Sequence, residues 1–266
     1  MRDGLKREEA LSFCMAPHAP YTVSDHSFEQ IVTYAEELQT PIHIHLHETL
    51  DEIRESETRF GMRPMERLRR LGLLGPGLIA VHAVHLRPEE VAMLRETGSH
   101  VAHCPSSNLK LASGIAPVSE LLAAGVNVGV GTDGAASNNR LDLFEEMRIA
   151  ALLAKAASGR PTSVPAEQAL AMATLGPARA LGLDRRIGSI VPGKEADLTA
   201  VNLGELELSP CYHPISHLIY AASRSQVTHV WRRGRLLLDD RRLTTLDPAE
   251  LAAKAAFWQQ RITPQA

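Results

Sequence analysis

The sequence is poor in several things that mark particular protein classes. It has three cysteines, Cys14, Cys104 and Cys211, far apart and odd in number. No Cys-x-x-Cys pair occurs, so neither a disulfide framework nor a cysteine-only zinc site is expected, and a reducing cytoplasm is the default compartment. No apolar run is long enough to span a bilayer. The opening residues, MRDGLKREEA, are charged and carry no signal-peptide core. The formal net charge is −3 with no clustered basic patch, which argues against a nucleic-acid partner. Arg67, Arg69 and Arg70 read as a solvated helix face. Internal repeats and low-complexity tracts are missing too. Against these gaps stand 44% hydrophobic residues in a chain of 266, enough for a large core, and twelve histidines. Many of the histidines sit in or just after apolar runs, where metal or proton chemistry is worth testing.

The order along the chain is strand, then helix, repeated. Leu11 to Ala16 is a short apolar run ending in PHAPYT. Phe28, Ile31, Val32, Ala35 and Leu38 follow at helical spacing. Then come IHIHLHET, LIAVHAVHL, HVAHCPSSN and VNVGVGTDG, separated by helical stretches, and a long helix from Leu141 to Ala157. Continuous apolar strands alternating with helices predict a parallel sheet with helices outside. Four of the five strand candidates before residue 135 end near His or Asp. In a (β/α)8 barrel the active site lies on that C-terminal face, and several strands each donate a residue. Five strands do not close an eight-stranded barrel. The fold class expected is therefore α/β, a partial (β/α)8 barrel of roughly the last five βα units over residues 1–186. Residues 187–266 change texture to strands with Gly turns, a small C-terminal β portion closed by a helix from about Pro248 to Arg261.

His43, His45 and His47 alternate along HIHLHE, so they would share the inner face of a strand while Ile44 and Leu46 pack against helices. Three buried imidazoles need partners for their ring nitrogens, which favours a metal role for at least one of them. Spacing does not say which. Glu48 reaches the barrel mouth if the chain has left the strand, where it could shuttle protons; otherwise it is a surface residue opening a helix. Leu78, Ala80 and His82 share a face, so His82 tops its strand, with His85 in the loop beyond and His103 similarly placed on the next strand. Gly129, Gly131 and Asp133 would share a face, the glycines leaving room beneath an aspartate able to bind a cation and accept a proton. An ordinary turn Asp-Gly is the plainer reading, weakened by a helix start capped at Asn138 or Asn139. His18 lies in a rigid, proline-flanked loop.

PHAPYTVS, HIHLHET, AVHAVHL, CPSSNLKLASGIAPV and VGTDGAASNN, in this order and spacing, resemble the 5′-methylthioadenosine/S-adenosylhomocysteine deaminases of the amidohydrolase superfamily. IGSIVPGKEADLTAVNL resembles that superfamily's C-terminal β-sandwich. The resemblance implies zinc, one ion per subunit, with His45 and Asp133 as ligands; other divalent ions suit the same donors. It implies that Asp133 is also the base that activates water, that Glu48 passes protons to the purine ring, that His82 holds the attacking water, and that His18 contacts the substrate on its sugar side. His43 and His47 match no ligand position. The reaction implied is hydrolytic deamination at C6 of an adenine ring, releasing ammonia and an inosine-type product. A small nucleoside is the partner expected, with no nucleic acid or membrane, and superfamily members often self-associate.

The family's first strand carries a His-x-His pair that supplies two further ligands, and this sequence does not contain it. The chain is expected to begin partway through the fold, to bind zinc weakly on its own and to turn over slowly. A guanine or 8-oxoguanine deaminase or a triazine hydrolase on the same scaffold is the sibling alternative. An inactive remnant, or a barrel completed by another chain, is the alternative of a different class.

Overall fold

The computed structural model describes residues 11–262; the charged opening segment read for a signal peptide lies outside them. Four strands form one parallel sheet in the order β1 (Ile42–Leu46), β2 (Leu78–His82), β3 (His100–His103) and β4 (Val128–Val130). Helices follow each strand: α1 (Asp25–Leu38) precedes β1, α2 (Leu50–Phe60) and α3 (Pro64–Arg70) lead to β2, and α4 (Pro88–Thr97) leads to β3. Then come α5 (Pro105–Lys110) and α6 (Val118–Ala123) before β4, and α7 (Ala135–Asn138), α8 (Leu143–Ser158), α9 (Ala166–Ala173) and α10 (Leu175–Ala180) after it. Parallel order with helical crossovers is an arc of a (β/α) barrel. The expected first strand is reduced to one parallel bridge, Met15 to Ile42, because Pro17 and Pro20 cut the run short.

The core lies between this sheet and its helices. Ile42, Ile44, Leu46, Leu78, Ala80, Val101, Val128 and Val130 face Phe28, Met65, Leu68, Leu94, Leu121, Met147 and Ala150, all buried. The alternation buried–half-buried along Ile42–Leu46 puts Ile44 and Leu46 in that layer and His43 and His45 on the opposite, inner face. Gly129, expected to leave room beneath Asp133, instead admits α10: a Cβ there would stand 3.2 Å from the Pro177 side chain. The long helix begins at Leu143, capped by Asp142 through Phe144 N–H at 3.0 Å, and not by Asn138 or Asn139. Two short turns intervene because Asn139 and Leu141 adopt positive φ.

The remaining strands, β5 (Leu198–Val201), β6 (Val227–Arg232), β7 (Arg235–Asp239) and β8 (Arg242–Leu243), form one antiparallel sheet. Between β5 and β6, α11 (Pro214–Tyr220) packs back on the barrel helices, with Ile219 fully buried and Arg148 of α8 donating to Ile219 O and Ala222 O. The final helix, α12 (Pro248–Ile262), forms close to where it was expected but closes nothing: none of its residues is buried, and Leu251, Phe257, Trp258 and Ile262 are exposed. Its Ala-rich composition suffices for helix without burial.

The arginine face divides. Arg69 and Arg70 are exposed and pair with Glu66 at 2.8 and 2.9 Å, as expected of a solvated face. Arg67 is 3% exposed. It bonds Pro20 O, Val23 O and Asp25 and lies 3.8 Å over the Phe60 ring, so it fastens the His18 loop to α2 and α3. A spare N–H fork and two nearby rings make burial tolerable for this arginine and not for its neighbours.

His47 and His103 are buried neutral, burial pushing each pKa from near 6.5 down to about 4. The unfolded chain takes up those protons near pH 6.5 and the folded chain does not, so each costs stability as pH falls, by up to about 1.4 kcal/mol per pH unit. Glu52 opposes them: burial raises its pKa to about 7, so its contribution is full at low pH and lost as pH rises through about 7. The two histidines outweigh the one carboxyl. Urea unfolding midpoints should therefore fall on acidification below about pH 6.5, less steeply in His103→Gln. Equal slopes would show that His103 is protonated in the folded state.

Candidate active site

The polar residues singled out in the sequence converge at the C-terminal ends of the strands, and the backbone there is strained. His47, His82, Ala83 and Asp133 all have φ between 49° and 71°, a left-handed region that residues with a Cβ rarely adopt. At β2 this corrects the expected facing. Alternation would send His82 to the helix side with Leu78 and Ala80; its φ of 71° turns the ring inward instead. At β1 the kink at His47, φ 56°, ends the alternation, so His47 does not join His43 and His45 on the inner face. At β4 the strand ends at Val130, and Asp133, φ 60°, sits in the loop and not on a shared face with Gly129 and Gly131.

His45 is half-buried on the inner face of β1. Its Nδ1–H donates to His18 O at 2.6 Å, which fixes the tautomer and leaves Nε2 with a free lone pair in the neutral ring. Its ring stacks on His82 with centroids 5.3 Å apart and meets His18 edge-on at 5.2 Å. His18 itself is exposed, held by Thr22 Oγ1 at 3.0 Å. His82 is 1% exposed, and its Nδ1–H donates to Asn108 Oδ1 at 2.8 Å, so Nε2 faces Glu48 Oε2 at 3.6 Å. Glu48 has turned into the mouth, the alternative that makes it available for proton transfer. Its Oε1 accepts from Ser113 Oγ at 3.0 Å.

Asp133 accepts from Ser107 Oγ at 2.6 Å, Ser137 Oγ at 2.7 Å and Gly134 N–H at 2.7 Å. Burial works against its ionisation, but these donors outweigh it and hold the carboxyl below its ordinary pKa. The loops carrying it are tied by buried Glu146, which accepts from Ser106 N–H at 3.1 Å and Asn138 Nδ2 at 2.6 Å.

The other histidines are differently placed. His43 lies beneath His45, its pKa lowered by burial and by His45 and His82. His47 is fully buried and saturated: Nε2 accepts from Met65 N–H at 3.1 Å, and Nδ1 faces His85 O and Arg63, which is paired with Glu90. His85 donates from Nε2 to Ser113 O at 2.8 Å, linking its loop to the segment that holds Glu48. His103 is buried, with Nδ1 unpartnered. Ser107, Asn108, Ser113, Ser137 and Glu52 were not singled out in the sequence. A run of small polar residues straight after an apolar strand, as in CPSSN, is the signal for the first two; the others are common surface types whose burial no local pattern shows.

Comparison with known proteins fits this arrangement. Residues 3–237 match the model of the amidohydrolase family. The chain belongs to that family. It is 46% identical over 98% of its length to the 5-methylthioadenosine/S-adenosylhomocysteine deaminase of Teredinibacter turnerae, and spans 59% of that relative. A crystal structure of an adenosine deaminase from Xanthomonas campestris with bound zinc superposes with a TM-score of 0.97 at 49% identity, covering 98% of this chain and 60% of that one. The zinc-complexed atrazine chlorohydrolase of Arthrobacter aurescens superposes at 0.87 with 26% identity, over 96% of this chain and 58% of that one. This amidohydrolase chain thus corresponds to a little over half of its relatives' length.

The donor set suits a divalent cation in part. His45 offers a bare Nε2 and Asp133 an ionised carboxylate. Among the described residues no group of three His, Cys, Asp or Glu side chains stands together to hold an ion, and catalytic zinc ordinarily takes three protein ligands. Asn108→Leu strands the buried Nδ1–H of His82, a cost of about 1–3 kcal/mol. Expected are a lower urea midpoint and a mixed His82 tautomer by nitrogen NMR; no change in either would remove Asn108 as the partner that orients His82.

Proposed function

We propose that this amidohydrolase is the zinc-dependent, water-adding part of a deaminase acting on adenosine-type nucleosides: 5′-methylthioadenosine, S-adenosylhomocysteine or adenosine. One observation carries the reading: an imidazole with its outer nitrogen free, a carboxylate held ionised, and a Glu–His pair at 3.6 Å converge where three strands end. His45 and Asp133 would hold the zinc. The bound ion supplies Lewis acidity that brings water into the range where it ionises near pH 7. Asp133, ionised at neutral pH, accepts the proton of the attacking water. Glu48, with Oε2 open toward the site, delivers a proton to the ring nitrogen as charge builds there. His82, locked by Asn108, steadies the oxygen added at C6. His18, at the exposed rim, meets the sugar. The proton held by Asp133 passes to the exocyclic amine, the C6–N bond breaks and ammonia leaves, and the added hydroxyl returns a proton to Glu48 as the C6 carbonyl of the inosine-type product forms. General acid/base work by one such group is worth about a hundred- to ten-thousand-fold.

The relative named as a methylthioadenosine deaminase supports the adenosine class. The superposition on an atrazine chlorohydrolase supports the shared scaffold and keeps a triazine or guanine substrate as the second reading. To the same proposal belong a barrel portion to about residue 186 with a C-terminal unit beyond, a cytoplasmic location and self-association. Among the described residues no helix is long and apolar enough to cross a membrane.

Glu48→Gln should lower deamination of 5′-methylthioadenosine at least about a hundredfold and leave the zinc content unchanged. Full activity in that variant would remove Glu48 from the mechanism. Turnover of guanine but not of any adenosine derivative would reverse the substrate assignment.

A further inference from the structure

A buried carboxyl lies behind the reacting groups. We propose that Glu52 is the positioning residue for Glu48: it grips the two peptide N–H groups at the end of β1 and so aims the Glu48 carboxyl into the site. This rests on the proton-transfer role given to Glu48 above.

Glu52 is 5% exposed. Its Oε1 accepts from His47 N–H at 3.0 Å and its Oε2 from Glu48 N–H at 2.8 Å. A glutamate at the third position of a helix ordinarily reaches back to the N-cap residue. The cap of α2 is Thr49, whose Oγ1 accepts from Glu52 N–H at 3.2 Å. The Thr49 peptide N–H also acts on the Glu52 carboxyl, but its two short bonds go to the two residues before the cap. Those two N–H groups flank the kink, His47 with φ 56°. Holding a residue with a Cβ there is strained and persists only where surroundings impose it.

The surroundings impose it from two sides. The His47 ring is fixed on one side by accepting from Met65 N–H and donating to His85 O, and the backbone by Glu52 on the other. The far end of Glu48 is fixed by Ser113 Oγ on Oε1. What remains free is Oε2, the oxygen that faces His82 Nε2. Without the grip at the backbone the peptide can relax toward extended geometry. Strand alternation would then direct Glu48 toward the helix side, away from His82.

The Glu52 carboxyl is stabilised as the anion by both N–H groups and by the start of α2, and opposed by burial, which dominates and raises its pKa to about 7. The ionisable groups facing it are Glu48 on its own segment and Tyr21 from the loop before α1, whose phenol is raised by burial and then by Glu52.

Glu52→Gln keeps the shape but turns an amide N–H₂ toward one of the two peptide N–H groups. In the full-length, zinc-loaded protein, kcat for 5′-methylthioadenosine should fall about 10- to 100-fold, the scale for a misplacement of about 1 Å. KM should stay within about twofold and zinc content should not change. A crystal structure of the variant should show Glu48 off Ser113, and the amide proton resonances of His47 and Glu48 should move upfield. Should the Gln variant fail to fold, Glu52→Asp, too short to span both N–H groups, is expected to give the same result. Lowered stability with kcat per folded molecule intact and Glu48 still on Ser113 would make Glu52 a helix cap and overturn the proposal. Glu48→Gln separates the two claims. Inactive Glu48→Gln beside normal Glu52→Gln sinks the positioning role alone. Full activity in Glu48→Gln sinks the proton-transfer reading, while the position of Glu48 in the Glu52 variant still judges the grip.

Discussion

The site depends on a backbone constraint at the strand ends. A parallel strand that simply continued would alternate its side chains between core and interior, and half of any polar cluster would point at the helices. Here β1, β2 and β4 are followed or ended by residues with positive φ, at His47, His82 and Asp133. Each kink redirects a functional group: Glu48 into the mouth, His82 off the helix side, Asp133 onto the serines of neighbouring loops. The strain is local and is offset by hydrogen bonds to groups from neighbouring loops and helices. Met65 N–H and His85 O hold His47, Asn108 holds His82, and Ser107, Ser137 and Gly134 hold Asp133. Loosening any of these holds would cost geometry before it cost fold.

The same constraint explains what the sequence shows and what it hides. The parallel sheet was legible because IHIHL, LIAVH and VAH are apolar runs of strand length separated by helical periods, and both signals come from burial that repeats along the chain. The inner facing of His45 could be read because strand parity is local; Glu48 stood open between the mouth and a helix surface, since its place turns on where the strand ends. The facing of His82 could not be read, since parity puts it with Leu78 and Ala80 and the reversal is a single dihedral angle set by contacts from elsewhere. Asp133 was assigned to a strand face for the same reason: VGVGTDG has the alternation, and neither the strand's end at Val130 nor the φ of 60° at Asp133 is written in it.

Arg67 is the reverse case. Its sequence neighbours Arg69 and Arg70 have the same charge and similar spacing, yet Arg67 is buried under the His18 loop and they are not. What separates them is position on the helix relative to Phe28, Phe60 and three oxygen acceptors brought from residues 20–25. That is tertiary information. A buried charge was invisible to composition because its partners, two carbonyls and Asp25, lie more than forty residues away.

The polar groups in and behind the site differ in the valence left over. His47 has both ring nitrogens occupied, Glu52 both oxygens, Glu146 both oxygens and Glu90 both oxygens by Arg63. Each is buried, and full pairing is what makes burial of such groups tolerable. His45, His82 and Glu48 each have one polar atom tied to the protein and one directed into the mouth. One tied atom fixes orientation and the open one meets water, cation or substrate. Asp133 departs from this pattern: both of its oxygens already accept, from Gly134 N–H and from the Ser107 and Ser137 hydroxyls, so a cation or a water proton would meet its remaining lone pairs.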